Sequence, residues 1–347
     1  MSLETRHGTA MMAAAAQTAC LLEVVAPKPG NVSRGHDLPG LTYRDFVLSA
    51  YAIGPAFSRF GRARVGRLIL EAVRATRRHV RTNTNLGIIL LLAPLARAAL
   101  GTGGTIRDRL RRVLLDLDVR DARDAYRAIR IAGPGGLGRV GRQDVRATPT
   151  ATLLECMRLA QERDAVACEY ATGFAVTFGT GLPTLHRLRD RHVPLPQAIA
   201  QTYLTLLASR PDTLIARRHG PRAAERVARL ARHSLRAGGF LTERGRTLSE
   251  RLDRRLRAEQ PPLNPGASAD LTVAAIFLWL LDDGVRTTRA RPRGSSRGRR
   301  TRTRPVSRAA PRRGDGPPPP RPPRRRTPRD PRRTVRRRGR RPPSGGR

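Results

Sequence analysis

The sequence predicts an all-α fold, namely a single multi-helix domain followed by a disordered tail that is rich in arginine and proline. Apolar residues recur at spacings of three and four throughout residues 9–284, which is the periodicity of helices with one buried face. Strict alternation of apolar and polar residues, the pattern of half-buried strands, is nearly absent. An apolar content of 39% in 347 residues is also sufficient to build a large core.

Clusters of glycine and proline separate the periodic segments, as expected where helices end. The loops APKPGN, GTGGT, AGPGGLG and NPGAS are the clearest of these clusters. No repeat of fixed period and no linker interrupts residues 9–284, so one domain is predicted. Helices are expected at 9–25, 43–59, 62–80, 84–100, 105–116, 121–132, 150–171, 194–208, 221–237, 243–257 and 267–283.

The tail, residues 285–347, differs in composition from the domain. From residue 286 onward it contains 25 Arg, no Lys and two Asp, and it lacks apolar periodicity. Such a segment cannot offset the entropy cost of ordering, so disorder is predicted. Two origins remain open: a polybasic arm that binds nucleic acid non-specifically, and the product of a frameshift in a GC-rich gene. The abrupt change after AAIFLWLLDDGV favours the frameshift.

Cysteine usage and hydropathy predict a cytoplasmic protein without a membrane span. Cys20, Cys156 and Cys168 show no C-x-x-C spacing, and their odd number is typical of a reducing compartment. The apolar runs LGIILLLAPLARAAL and LTVAAIFLWLL are interrupted by Pro94 or too short to cross a bilayer.

The segment EVVAPKPGNVSRGHDL, residues 23–38, contains Lys28, the single lysine of a chain with 68 Lys plus Arg. Its prolines and glycines exclude a regular helix, and it presents Asn31, Arg34 and Asp37 close to Lys28. Two cations, an amide and a carboxylate suit a phosphorylated ligand, with Asp37 as a metal ligand or proton acceptor. A polar connection between two helices is the alternative interpretation.

Polar residues also stand immediately before the apolar helix LGIILLLAPLA. Asn83, Thr84 and Asn85 either cap this helix or place its free amides near phosphate oxygens. Glu71 lies on the preceding helix. The loop AGPGGLG, residues 132–138, is rich in glycine but is not followed by the Gly-Lys-Ser/Thr of a phosphate-binding Walker A loop.

Three later segments add acidic residues at helix junctions. PDTLIARRHG brings Asp212 and Arg217, NPGASADL brings Asp270, and RDAVACEY brings Asp164. Each carboxylate alone is explained by capping or by a surface ion pair. Together, in an otherwise apolar helical domain, they indicate a site for a metal and a triphosphate.

The ordered set EVVAPKPGNV, Glu71 followed by TNTNLG, PDTLIARRHG and NPGASADL resembles the triphosphoribosyl-dephospho-CoA synthase family over residues 12–283. The resemblance implies an all-helical fold and an ATP-dependent transferase. That enzyme moves a 5-triphosphoribosyl group from ATP to the 2'-hydroxyl of 3'-dephospho-CoA and releases adenine. The product is a prosthetic-group precursor.

The resemblance also implies roles for individual residues. Mg²⁺ is expected as a cofactor, with Asp37 and Glu71 as its ligands or as the catalytic base. Better-known members of the family read NTHKG where this chain reads NTNLG, so Asn85 and Leu86 replace a histidine and a lysine. This departure indicates a divergent branch of the family, in which a change of acceptor, or even of donor, stays open. The expected nucleotide-binding residues are Lys28, Asn31, Arg34, Asn83, Thr84, Asn85, Asp212, Arg217 and Asp270.

Three functions therefore stay open at the level of sequence. The first is the synthase, and the second is a nucleotide-dependent ribosyl transferase that acts on another cofactor precursor. The third is a basic nucleic-acid-binding protein that uses the tail. An aromatic content of 4% disfavours the third function, because single strands are usually bound by stacking on aromatic side chains.

Overall fold

The computed structural model describes residues 3–61 and 63–290, and within these ranges the all-α prediction is confirmed. Two isolated β-bridges, Ser33 with His36 and Leu38 with Leu41, are the only extended pairings found there. The described α-helices are α1 (Leu3–Val25), α2 (Tyr43–Arg59), α3 (Val65–Arg77), α4 (Leu86–Ala99), α5 (Ile106–Leu115), α6 (Val119–Ala132), α7 (Leu153–Ala160), α8 (Ala165–Thr172), α9 (Leu182–Asp190), α10 (Leu195–Ser209), α11 (Thr213–His219), α12 (Pro221–Arg236), α13 (Glu243–Ala258) and α14 (Gly266–Ala290).

Local sequence explains where several helices begin. Capping boxes start α2, α5, α6 and α7, each with a threonine or aspartate whose side chain accepts from the backbone three residues later. In the same motif, the acidic residue at that third position accepts from the cap backbone, which satisfies two otherwise unpaired amides. These four starts lie within about three residues of the predicted ones, which is the usual uncertainty of helix ends read from sequence.

The prediction of one continuous helix over residues 150–171 is wrong. α7 ends at Ala160 and α8 starts at Ala165, because Asp164 adopts an extended backbone and caps α8 through its side chain. The periodic pattern of apolar residues continues across this break and conceals it. The break matters, since it places Asp164 at a helix start that faces a pocket.

Four helical segments were not predicted, namely a π-helical turn, α9, α11 and a 3-10 turn at Gly239–Leu241. Residues 177–181 form a π-helical turn that runs directly into α9, with Pro183 in the first turn where its missing amide is harmless. The seven-residue α11 is stabilised by Asp212, which accepts from the amides of Leu214 and Ile215. Glycines at 179 and 181 explain why sequence periodicity missed the π-helical turn, and the seven-residue length of α11 explains why it missed that helix.

The main apolar core surrounds α4, in which all but three residues are buried. α1, α3 and α14 pack against this helix, and α2 lies on α1 and α3. A second core joins α10, α12 and α13. Burial of each large aliphatic side chain contributes roughly 1.5–3 kcal/mol, so α4 is held firmly and its N-terminal end is a rigid platform.

α1 includes the one stretch in the described residues, 8–25, that is long and apolar enough to cross a membrane by length and composition. Half of this stretch is buried inside the protein, where α1 packs on α2 and α14. These are the contacts of a core helix.

The predicted tail lies outside the described residues, except that α14 continues to Ala290. The predicted boundary at residue 284 thus falls inside a helix. All described helices belong to one compact unit.

Candidate active site

A pocket opens where the N-terminal end of α4 meets α6, α7, α8, α11 and α14. It encloses about 1420 Å³, counting the space at its open mouth, which is ample for substrates of nucleotide size. The loop between α6 and α7 forms one wall. The charged and amide side chains that line the pocket are Asn83, Gln143, Asp144, Arg163, Asp164, Arg217, Arg218, Asn264 and Asp270.

The NTN segment fixes the end of α4 at this pocket. Asn83 lines the pocket, and its side-chain oxygen accepts from the amide of Leu86 at 3.2 Å, which caps the helix. Thr84 and Asn85 are buried instead: Thr84 Oγ1 lies 2.5 Å from Ser49 Oγ, and Asn85 Nδ2 donates to Thr76 Oγ1 at 3.1 Å. Of these three predicted nucleotide-binding residues, the structure places only Asn83 on the pocket.

Asp270 projects from the first turns of α14 towards Gly87 of α4. A Cβ atom on Gly87 would overlap the carboxylate of Asp270, so the glycine makes the room that this side chain occupies. Burial raises the pKa of Asp270 well above its ordinary value, and the negative charges of Glu23, Asp212 and Asp164 raise it further. A carboxyl group with a raised pKa inside a pocket is suited to proton transfer.

Asp164 and Arg217 form an ion pair at the pocket wall. One oxygen of Asp164 accepts from the amides of Val166 and Ala167, and the other receives the guanidinium of Arg217. The Nε–H of Arg217 is buried and has no hydrogen-bond partner within the described residues. A buried, unpaired donor of this kind is available to an anionic ligand.

The glycine-rich loop lies directly over the two arginines of α11. A Cβ atom on Gly135 would come within 2.9 Å of Arg218 Nη2, and one on Gly136 within 3.1 Å of the Arg217 carbonyl oxygen. Gly136 also has a φ of 77°, which favours glycine. The close approach favours glycine at both positions and places the loop backbone beside Arg217 and Arg218.

The rest of this loop is held by hydrogen bonds from its flanks. Tyr126 donates to the Gln143 carbonyl oxygen at 2.7 Å, and the Gln143 amide pairs with Thr150 in both directions. Asp144 accepts from the amide of Val140 at 3.0 Å. The loop is therefore an ordered wall of the pocket.

The PKPGN turn supports the opposite side of the pocket. Asn31 is buried, and its Nδ2 donates at 2.8 Å to the side-chain oxygen of Asn264, which lines the pocket. Tyr203 donates to the Pro29 carbonyl oxygen, and the amide of Gly30 donates to Asp253. Asn31 thus reaches the pocket through Asn264.

Lys28 is 2% exposed and lies beneath this turn. Its ammonium group contacts the Glu23 carboxylate at 3.1 Å and donates to the carbonyl oxygens of Glu23 and Val32 at 2.7 and 2.9 Å. Two of its three protons are donated to these carbonyl oxygens, and the carboxylate lies within ion-pair distance. Burial lowers the pKa of Lys28 and raises that of Glu23, while each charge partly restores the other.

Asp212 is also buried and holds two helix ends together. One carboxylate oxygen accepts from the first turn of α11, and the other accepts from the backbone and hydroxyl of Ser268 in α14, both at 2.8 Å. These bonds orient Arg217 relative to Asp270.

The remaining predicted residues lie elsewhere. Arg34 and Asp37 are exposed, and the Asp37 carboxylate accepts from the amide of Tyr43 at 2.7 Å. Glu71 does not line the pocket; on α3 it forms ion pairs with Arg67 and Arg74 at 2.9 and 3.2 Å. The structure brings three predicted residues together on the pocket, namely Asn83, Arg217 and Asp270.

Residues outside the expected nucleotide-binding set complete the site. From the sequence, Asp164 looks like one half of a surface ion pair with its neighbour in the chain. Its actual partner, Arg217, is 53 positions away, so the sequence alone does not reveal the pair. The glycine-rich loop was only weak evidence for a phosphate site in the sequence, and Arg218 was not assigned a role. The structure strengthens that evidence, because the loop glycines pack against the arginines of α11.

Comparisons with known proteins bear on this site. The family model described as CitG: ATP:dephospho-CoA triphosphoribosyl transferase matches residues 9–289. The crystal structure of a putative triphosphoribosyl-dephospho-CoA synthase from Archaeoglobus fulgidus superposes with a TM-score of 0.54 at 27% identity, covering 67% of this chain and 97% of that one.

A curated Pseudomonas putida protein, named a probable 2-(5''-triphosphoribosyl)-3'-dephosphocoenzyme-A synthase, is 34% identical over 106 residues. The match covers 30% of this chain and 37% of the relative, so it spans little more than a third of that protein's length.

Proposed function

Because the chain belongs to the ATP:dephospho-CoA triphosphoribosyl transferase family, as its motifs predicted, we propose that it is a triphosphoribosyl transferase acting at this pocket. The donor is ATP, the acceptor is the 2'-hydroxyl of 3'-dephospho-CoA, and adenine is released. The observation that carries the proposal is the meeting of Asp270, the Asp164–Arg217 pair and the glycine-rich loop in one pocket.

The arginines of α11 are the proposed contacts of the triphosphate. Arg217 offers its buried Nε–H, and Arg218 forms no ion pair within the described residues. Guanidinium groups bind phosphate oxygens through paired hydrogen bonds, and the backbone at Gly135 and Gly136 can approach closely because it has no side chains. Arg163, also on the pocket, adds a third cation.

Asp270 is the proposed general base. In the transfer, the bond from ribose C1' to adenine N9 breaks and its electron pair leaves with adenine, which takes up a proton from solvent at N9. The acceptor oxygen bonds to C1' and gives its proton to Asp270. A carboxylate with a raised pKa accepts such a proton more readily than an ordinary one. This proposal gives to Asp270 the role that the sequence assigned to Asp37 or Glu71.

Mg²⁺ fits the pocket as a companion of the triphosphate. Within the described residues no group of three or more His, Cys, Asp or Glu side chains could hold a metal by itself. Mg²⁺ is usually bound through one or two carboxylates together with substrate phosphates, and Asp164 lies beside the proposed phosphate contact Arg217. When bound, the ion would neutralise charge on the triphosphate.

A transferase with a different acceptor is the second candidate, and Leu86 favours it. Leu86 lines the pocket in the first turn of α4, so this position supplies an apolar surface to the acceptor or to the adenine of ATP. A less anionic acceptor than dephospho-CoA suits such a wall.

The test is chromatographic detection of adenine after the purified full-length chain is incubated with ATP and Mg²⁺, with and without 3'-dephospho-CoA. Adenine release that depends on dephospho-CoA supports the first candidate. Protection of the protein from unfolding by ATP, without adenine release, supports the second. If ATP neither releases adenine nor protects the protein from unfolding, both candidates are contradicted.

We further propose that the catalytic unit comprises residues 9–284 with the rest of α14, and that residues beyond 290 are dispensable. The family match ends at residue 289. A chain that ends at residue 290 is expected to release adenine at the full-length rate, and loss of the activity would contradict this division. A cytoplasmic location is part of the same proposal.

Arg218→Gln is expected to raise the KM for ATP by about tenfold, because one phosphate contact is lost, with little change in stability. Arg218 is exposed and makes no ion pair within the described part of the chain. Initial-rate kinetics measure the effect, and Arg222→Gln, at an exposed arginine of α12, is the matched control. Equal KM values for the two variants would exclude Arg218 from the phosphate site.

A further inference from the structure

A second cavity, here named the basic groove, lies between the C-terminal part of α2 and one face of α3. It encloses about 770 Å³ with its mouth included and shares no lining residue with the candidate active site. Its charged lining residues are Arg59, Arg67, Glu71, Arg74 and Arg78. Those on α3 and directly after it follow helical spacing and therefore form one stripe.

The charge of the groove is strongly positive and only partly neutralised. Glu71, whose side chain is 40% exposed, pairs with Arg67 and Arg74 and holds them side by side. Arg59 and Arg78, on opposite walls, form no ion pair within the described residues. One unpaired guanidinium group is therefore supplied by α2 and one by the end of α3, and both line the groove, where they are available to phosphate or carboxylate groups.

The groove also has apolar and aromatic surfaces. Phe60 and Leu68 are buried beneath it. Tyr51 is 67% exposed and lies one helical turn before Pro55, a lining residue of the groove. Its ring contacts that of His79 edge to face, with centroids 6.4 Å apart, and His79 directly follows Arg78. An exposed aromatic face at the end of an arginine stripe is suited to stacking a nucleobase.

We propose that the basic groove is a second nucleotide-binding site, in which phosphates bind to Arg59 and Arg78 and the base stacks on Tyr51. The proposal does not depend on the transferase assignment, because none of these residues belongs to the candidate active site. Glu71 competes with the phosphates for Arg67 and Arg74. Neutralising it therefore strengthens nucleotide binding, and this effect is opposite to that of removing an arginine.

The test is calorimetric titration of the full-length chain with ATP at physiological ionic strength. Wild type is expected to show two classes of ATP site. The double variant Arg59→Gln, Arg78→Gln is expected to lower the affinity of the groove site for ATP by about tenfold. Arg218→Gln is expected to lower the affinity of the candidate active site instead. The matched control, Arg222→Gln with Arg229→Gln, removes two exposed arginines of α12 and leaves both classes unchanged. Equal isotherms for the groove variant and the α12 control overturn the proposal.

Two further titrations test the chemistry of the ligand. Tyr51→Ala is expected to weaken ATP binding by about tenfold and to leave the binding of inorganic triphosphate unchanged, since triphosphate has no base to stack. Glu71→Gln is expected to tighten both ligands by about threefold. If Tyr51→Ala leaves ATP binding unchanged, or if Glu71→Gln weakens it, the groove is not a nucleotide site of this design. Failure of these titrations leaves the adenine-release assay unaffected, so the two proposals fail separately.

Discussion

Lys28→Met is expected to lower the free energy of unfolding by about 3–5 kcal/mol near neutral pH. The substitution removes the cation that lies 3.1 Å from the buried carboxylate of Glu23, and it leaves two carbonyl oxygens without their donor. Urea denaturation measures the loss, provided that the unfolding free energies of the two proteins depend on urea concentration with the same slope. The effect should diminish as the solution becomes more acidic, because the pKa of Glu23 is already raised by burial and the protonated acid needs no cation.

Two control variants separate charge from geometry. The double variant Glu23→Gln, Lys28→Met removes both charges and is expected to regain most of the lost stability. Removing both members of a buried ion pair costs less free energy than leaving one charge buried without its partner. Lys28→Arg keeps the charge but replaces a compact ammonium by a planar guanidinium with five donors. The pocket around Lys28 offers three acceptors in a small volume, so Lys28→Arg should also destabilise the protein. Wild-type stability of Lys28→Arg would contradict this account.

Asp270→Asn is expected to reduce kcat/KM by about 10²–10⁴-fold, because the amide cannot accept the proton of the attacking hydroxyl. The same change should raise the free energy of unfolding at neutral pH. The pKa of Asp270 is higher in the folded protein than in the unfolded chain, so its ionised form destabilises the fold once the pH exceeds the ordinary aspartate value. Initial rates of adenine release and urea denaturation measure the two effects.

The pH profile gives an independent check on this role. In the wild-type enzyme, kcat/KM should fall as the pH drops through the raised pKa of Asp270, above the range of an ordinary aspartate. Asp270→Asn should remove that acidic limb along with most of the activity. Asp37→Asn, at an exposed carboxylate, is the matched comparison. If Asp270→Asn keeps the fall of kcat/KM at low pH, or if Asp37→Asn loses more kcat/KM than Asp270→Asn, another residue is the general base.

Sequence periodicity predicted the all-α fold and most helix positions, because each of those helices buries one apolar face in a core. It failed where side-chain capping interrupts an unbroken apolar pattern, as at Asp164. It also missed α9, the π-helical turn and α11; at the last two, glycine and shortness remove the periodic pattern. The family was predicted from its motifs and is confirmed by the match over residues 9–289.

The candidate site was less predictable, since motifs show which residues are unusual but not which way they face. Lys28, Asn31 and Asp212 stand in prominent motifs because they hold turns and helix ends beneath the pocket. Asp270 and Arg217 stand in equally prominent motifs and line it. Only the folded chain separates the two groups, through burial and through partners distant in sequence.

The burial of Lys28 also determines how the protein responds to amine-directed chemistry. Because the chain has a single lysine and that residue is 2% exposed, the folded surface offers reagents no side-chain amine. Acylation of Lys28 requires the PKPGN turn to open, so its rate reports the opening of the segment that supports Asn264. The one lysine side chain is thereby a site-specific probe of local unfolding next to the pocket.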